Sequence, residues 1–252
     1  MDPLQIAVLG PVEVHLGDRA VALPARKEQM VLAALAASLN HTVSTHGLVD
    51  ALWLRNPPKS ALDTVQSIVS RLRSRLGHDS IESIGHSYRL VVEPDQVDAV
   101  RFECLTRQAS ALLADDPSTA ASLATDALAL WRGPPFGDLN EGGFLEPEVQ
   151  RLEAMRLSAV EVRLEADVAC GRLSSAVGDL RAEIARNPYR ERLWYLLVLA
   201  LARDGCRVGA LRACQQLRSD LVKIGLEPSA DICELEQMVV TEAPEVRSQL
   251  RR

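Results

Sequence analysis

The chain has 252 residues, 47% hydrophobic and 25% charged, which is enough apolar material for ordinary cores and enough length for two domains. A formal net charge of −6 argues against blanket attraction to nucleic acid. That charge is unevenly spread: residues through Glu93 carry nine Lys+Arg against nine Asp+Glu, whereas the remainder carries nineteen against twenty-five. All five histidines (15, 41, 46, 78 and 86) lie in the first part, so a compositional border falls near residue 93.

Leu4 to Leu9 and Val12 to Leu16 are short β-prone runs separated by Gly10-Pro11, and Gly17-Asp18 marks a turn before Arg19 to Leu23. Together they predict a small antiparallel sheet. Arg26 to Leu39 reads as a helix with Met30, Leu32, Leu35 and Leu39 on its apolar side and Asn40 as its stop. Ser44 or Thr45 can cap a second helix, which runs to about Leu54 and carries Leu48, Leu52 and Trp53 inward. Pro57-Pro58 then breaks the chain.

The following stretch organises the first domain. Apolar residues at 62, 65, 68, 69, 72 and 76 recur every three or four positions, the stripe of an amphipathic helix. The opposite side holds Asp63, Ser67, Ser70, Arg71 and Ser74, with Thr64 and Arg75 on one shoulder and Gln66 and Arg73 on the other. Small hydroxyls permit close approach to a surface, and arginine forks match phosphate oxygens and guanine edges, so this face suits DNA. A solvated helix face with a few arginines has the same pattern. Arg75, near the last turn, also suits the negative end of the helix dipole, and Asp63 would repel phosphate. Gly77 is placed to end the helix, and Ile81 to Ile84 and Tyr88 to Val92 read as two strands joined through Gly85-His86-Ser87. A helix followed at once by a hairpin is the layout of a winged helix.

From Val97 onward the pattern is almost wholly helical. Asp98 to Ala114 and Pro117 to Trp131 are amphipathic segments, with Asp116 as cap before a first-turn proline. Trp131 to Leu139 is a glycine- and proline-rich loop without the spacing of a nucleotide cradle, and reads as a packed connector. Glu146 to Cys170 is a long helix. Gly171-Arg172-Leu173-Ser174-Ser175-Ala176 then aligns with Gly205-Cys206-Arg207-Val208-Gly209-Ala210, and Ala166 with Ala200, at the 34-residue spacing of tetratricopeptide repeats. Asn187-Pro188 and Leu226-Glu227-Pro228-Ser229 are read as the starts of the next and last helices, with a frayed charged tail from about residue 241. The expected fold is an α+β winged helix-turn-helix domain over 1–93, followed by an all-α, tetratricopeptide-like domain over 97–240.

Leu9-Gly10-Pro11-Val12-Glu13-Val14, Leu52-Trp53, Pro57-Pro58, Val65 to Arg73 and Tyr88-Arg89-Leu90 resemble the N-terminal domain of the Streptomyces antibiotic regulatory proteins, a winged helix of OmpR/PhoB type. Leu130 to Phe136, Ala169 to Arg172, Asn187 to Glu191 and Gly225 to Ser229 resemble the bacterial transcriptional activation domain that follows it in the same regulators. The resemblance implies an activator that binds direct repeats in promoter DNA side by side and recruits RNA polymerase with its sigma factor, controlling a secondary-metabolite gene cluster. Carried over residue by residue, it places Thr64, Ser67, Ser70, Arg71 and Arg73 in the major groove, with Arg75 beside them. Lys59 becomes a phosphate contact at the helix entry, and His86, Tyr88 and Arg89 become the wing contacts. Leu54, Arg55 and Asn56 correspond to a loop that touches polymerase.

An enzyme and a pure peptide-binding module without specific DNA binding are the rival readings, and the front part of a larger multidomain regulator is the alternative that the resemblance leaves open. No Ser/His/Asp, Cys/His or metal-ligand constellation is visible, and no cofactor is expected. The five cysteines (104, 170, 206, 214 and 233) are scattered and odd in number, which favours neither zinc nor disulfides and fits a reduced, cytoplasmic, nucleoid-associated setting. Leu193 to Ala202, the longest apolar run, is far short of the ~20 residues that a membrane span needs, and no charged-then-apolar leader opens the chain, so neither membrane insertion nor export is expected.

Overall fold

A computed structural model of the chain describes residues 3–53 and 56–241. By contacts the chain forms two compact units: the first takes the chain through Leu105 together with Asp126–Leu157, the second Thr106–Thr125 and the chain from Ser158. The units therefore follow packing and not the compositional border near residue 93.

The first unit opens with β1 (Leu4–Ala7), β2 (Glu13–Leu16) and β3 (Arg19–Ala20), an antiparallel sheet in that order. Ile6, Leu9 and Val14 are buried beneath it. Three helices follow: α1 (Arg26–Ala37), α2 (Thr45–Trp53) and α3 (Ala61–Leu76). Val31 through Ala36 are buried without a break, because α1 packs against both α2 and α3 and is covered all round. Leu39, expected on the apolar side of α1, lies beyond its end and is half-buried. The cap of α2 is Ser44, whose Oγ accepts the Gly47 amide at 2.9 Å. Trp53 is half-buried and not the inward anchor expected, since Lys27 Nζ covers its ring 4.0 Å from the centroid.

Two strands form the hairpin: β5 (Ile81–Ile84) and β6 (Ser87–Leu90). A short strand the sequence did not betray, β4 (Val43–Ser44), pairs with β6 to give the order β4-β6-β5. The turn is the pair Gly85-His86 and not the expected triplet, because Ser87 already pairs with Ile84. Gly85 has φ +60°, the conformation the first position of a tight type II′ hairpin turn requires.

The same unit includes the start of α4 (Asp98–Leu112), the end of α5 (Pro117–Ala129) and the start of α6 (Glu146–Ala169). The Trp131–Leu139 connector is packed onto the end of β1. Arg132 and Phe136 donate their amides to the carbonyls of Leu9 and Val8, each at 2.7 Å. Asp98 completes the arrangement: Oδ1 accepts the Val8 amide at 2.7 Å and Oδ2 the Leu9 amide at 3.0 Å. Gly137 has φ +58°, a conformation that L side chains rarely adopt, and a Cβ there would press to 3.1 Å from Pro11 Cα.

The second unit is helical, with α7 (Leu173–Arg186), α8 (Glu191–Arg203), α9 (Arg207–Val222) and α10 (Ala230–Thr241). The 34-residue repeat has a geometric counterpart. Gly171 and Gly205 both have φ +77°, and the amides of Arg172 and Cys206 close the preceding helices onto the carbonyls of Asp167 and Leu201. Ala166, Ala176, Ala200 and Ala210 are all completely buried, letting paired helices approach closely. Asn187-Pro188 does not begin α8: Asn187 caps the C-terminus of α7, and the helix starts after Arg190. Glu161 to Glu165 on α6 carry a set of ion pairs to the following helices. Arg190 grips buried Glu161 at 2.6 and 2.9 Å, Arg163 reaches Asp179 at 2.8 Å, and Arg192 reaches Glu165 at 2.5 Å. The tail expected to fray lies outside the described residues.

Among the described residues, no helix is long and apolar enough to cross a membrane, and no cluster of three or more His, Cys, Asp or Glu is arranged to hold a metal ion.

Candidate nucleic-acid interface

Helix α3 begins after Pro57-Pro58, where Ala61 donates to the Pro58 carbonyl at 2.9 Å, and ends at Gly77, whose amide closes on Arg73. Ala61, Val65, Ile68, Val69, Leu72 and Leu76 are buried. Asp63, Gln66, Ser67, Ser70, Arg71 and Ser74 are exposed, with Thr64, Arg73 and Arg75 half-buried along the margins. Leu62 departs from expectation: it is 42% exposed, because the buried stripe starts from Ala61 instead.

The hydroxyls on this face are partly spent. Thr64 Oγ1 donates to the Ser60 carbonyl at 2.8 Å, Ser67 Oγ to Asp63 at 2.9 Å and Ser74 Oγ to Ser70 at 3.0 Å. Each retains lone pairs that can accept from an adenine or cytosine amine. Ser70 Oγ and Lys59 Nζ, both exposed, have no intramolecular partner among the described residues.

The arginines are anchored. Arg71 Nε lies 3.0 Å from Oε1 of Glu28 on α1, and Arg75 Nε lies 3.6 Å from Oε2 of the same carboxylate. Arg75 also donates to the Ala22 carbonyl at 3.1 Å, which replaces a helix-dipole role with tertiary contacts. Arg73 joins α3 to the hairpin through the Ile81 carbonyl and Ser83 Oγ, both at 2.8 Å.

On the hairpin, His86 is exposed at the turn, and its carbonyl accepts from both the amide and the hydroxyl of Thr45 at 2.9 Å. Arg89 pairs across the strands with Glu82 at 2.5 Å. Tyr88 is not the wing contact expected: only 9% exposed, it points into the core from the face of β6 opposite Ser87 and Arg89, because side chains alternate along a strand. Ile84, beside the turn, is 41% exposed. Leu54 and Arg55 lie outside the described residues, and Asn56 is exposed.

A polar helix face flanked by a hairpin can lie in a DNA groove, and comparison with known proteins supplies the setting. The sequence pattern of the bacterial transcriptional activator domain matches residues 97–240. The regulatory protein DnrI of Streptomyces peucetius is 33% identical over 254 residues, spanning 96% of this chain and 93% of that one. The chain belongs to the Streptomyces antibiotic regulatory protein family. It is a transcription regulator.

Other family members are longer. The regulatory protein AfsR of Streptomyces griseus is 33% identical over 95% of this chain, which spans only 25% of AfsR. The structure of Mycobacterium tuberculosis EmbR in complex with a low-affinity phosphopeptide superposes with a TM-score of 0.92 at 28% identity, covering 100% of this chain and 69% of that one. In the present chain, Glu28 has no part in the sequence expectations. The available signal was a lone acid just before the unbroken apolar run Val31 to Ala36, a position that burial would force to find a cation.

Proposed function

We propose that this regulator is a sequence-specific activator that inserts α3 into the major groove of promoter DNA and extends the β5–β6 hairpin toward the neighbouring minor groove. The observation carrying this reading is the exposed face of α3, small, polar and cationic, beside a hairpin fixed to it by Arg73. In this reading residues 1–93 bind DNA and residues 97–240 serve activation. Ser67, Ser70, Thr64 and Arg71 meet base edges, and Lys59, Arg75, His86 and Arg89 meet backbone or wing positions. Arg73 acts mainly by holding the wing.

The sites are direct repeats, occupied by protomers that associate on DNA. The near-neutral charge of the first 93 residues makes a lone half-site weak, and a tandem pair raises occupancy through effective concentration. Asn56 and the loop around it lead toward RNA polymerase and its sigma factor. The regulated genes form a secondary-metabolite cluster, as the family resemblance implies.

Selection from a randomised duplex pool with the 252-residue chain tests the reading. The expected product is a tandem motif spaced in step with the helical turn and bound on the order of 10⁻⁸ M or tighter, with a steep loss as salt rises. Recovery of unenriched sequences, bound no better than scrambled DNA, would leave α3 as an ordinary solvated face.

A further inference from the structure

Two carboxylates are buried among the described residues, and they solve the problem of a desolvated charge differently. Glu161 is gripped through both oxygens by one arginine, Arg190, at 2.6 and 2.9 Å. Glu28, 2% exposed, is instead shared between two arginines of α3: Arg71 at 3.0 Å through Oε1 and Arg75 at 3.6 Å through Oε2. Both contacts are ion pairs, and Oε2 has no hydrogen-bond partner, so the carboxylate is held by charge without full hydrogen-bond closure. A carboxylate placed for stability alone would be better served by the Glu161 solution.

Both contacts run through Nε. An arginine whose ion pair runs through Nε keeps Nη groups for a second partner: both of them in Arg71, whose side chain is 55% exposed, and one in Arg75, 37% exposed, whose Nη1 already donates to the Ala22 carbonyl. An unrestrained arginine on this face would turn to the nearest phosphate, a contact that carries no sequence information. A guanidinium fixed from behind presents its fork in one direction, as bidentate recognition of guanine requires.

We infer that Glu28 is a positioning residue for DNA reading: from inside the core it orients Arg71 toward base edges and withdraws part of its charge from phosphate, while Arg75 shares the same carboxylate. This rests on the proposal that α3 enters the groove. Glu28 itself touches no nucleic acid.

Glu28→Gln in the whole chain keeps the size and an acceptor but removes the charge. Affinity is measured for a duplex recovered by selection with the wild type and for its scrambled version, across a salt series. The expected result is a fall in discrimination of about fivefold or more, scrambled-DNA affinity equal or higher, and a salt slope steeper by about 1, as a released arginine meets phosphate. Glu28→Asp, which keeps the charge but withdraws it by one methylene, should lie between the two. It takes over the test, with Arg71→Lys, if circular dichroism shows Glu28→Gln unfolded; lost discrimination in these folded variants supports the inference. Discrimination equal to wild type in any folded variant at Glu28 overturns it, as does an equal loss on both duplexes, which marks a structural role alone. If the wild type does not discriminate, the groove-reading proposal fails and takes this one with it.

Discussion

Arg73 donates from Nε to the carbonyl oxygen of Ile81 at 2.8 Å, which fixes the first residue of β5 against the last turns of α3. Nη2 adds a bond to Ser83 Oγ at 2.8 Å, so one side chain sets the angle between helix and hairpin. Arg73→Ala should cost roughly 1–2 kcal/mol, the contribution of a charge-assisted hydrogen bond discounted for partial exposure. Hydrogen exchange should quicken at Glu82 and Ser83 more than in β1–β3. Equal changes in the two sheets would show that Arg73 does not hold the hairpin.

The serines of α3 should differ in what they read. Ser67 has committed its proton to Asp63 and can only accept, so Ser67→Ala should relax preference only at base pairs presenting an amine. Ser70 Oγ can donate as well, so Ser70→Ala should shift preference at acceptor-rich positions too. Randomised-site selection with each variant checks this. Identical motifs from both variants and the wild type would remove these hydroxyls from the interface.

Asp98 is the sole side-chain partner shown for the amides of Val8 and Leu9, both buried. Asp98→Ala leaves two donors unpaired, at about 1–3 kcal/mol each, and should lower stability by roughly 2–5 kcal/mol in urea titration. Asp98→Asn, which keeps an acceptor, should lose less. An unchanged midpoint for the alanine variant would mean that those amides find another partner.

Asp116 carries an acid-dependent contribution. Its hydrogen bonds to the Thr119 hydroxyl, at 2.5 Å, and to the Thr119 amide, at 3.1 Å, hold its carboxyl below the ordinary value of 3.8. A depressed folded value means that the unfolded chain binds the proton more readily. The stabilisation is therefore complete above the ordinary value and disappears as pH falls through the lower folded one. Thermal unfolding of wild type and Asp116→Ala should differ most above the ordinary carboxylate value and converge as acid protonates Asp116 in the folded chain. A gap independent of pH would refute the capping role.

Cys214 should be chemically silent. Burial pushes its thiol up to about 11, whereas Cys104, Cys170, Cys206 and Cys233 are exposed. A disulfide reagent at neutral pH should modify four thiols in the folded protein and the fifth only on denaturation. Rapid labelling of all five would indicate that the Leu217 and Leu221 side of α9 opens readily.

Local periodicity carried much of this fold. The alternation along 61–76 marked both the buried stripe and the exposed face of α3, and the 34-residue repeat marked two helix ends of the same shape. Leu62 fits the apolar period yet faces outward, since its neighbour Ala61 occupies the buried edge. What else escaped was set by partners distant in sequence: Tyr88 is inward because β4 and β5 fix the register of β6. The pairing of Glu28 with Arg71 spans more than forty positions, and no short pattern announces it. Asn187-Pro188 has the chemistry of a helix start but serves as the end of α7, a choice that tertiary packing makes.

All four main-chain polar groups of Val8 and Leu9 find their partners at Asp98, Arg132 and Phe136. The first ninety residues are thus not a detachable cassette. A chimaera of two relatives spliced near residue 93 would set one parent's strand end against the other parent's clasp, whereas a splice beyond residue 157 would carry lock and key together. Recombination within this family should therefore leave its surviving crossovers on the far side of that clasp.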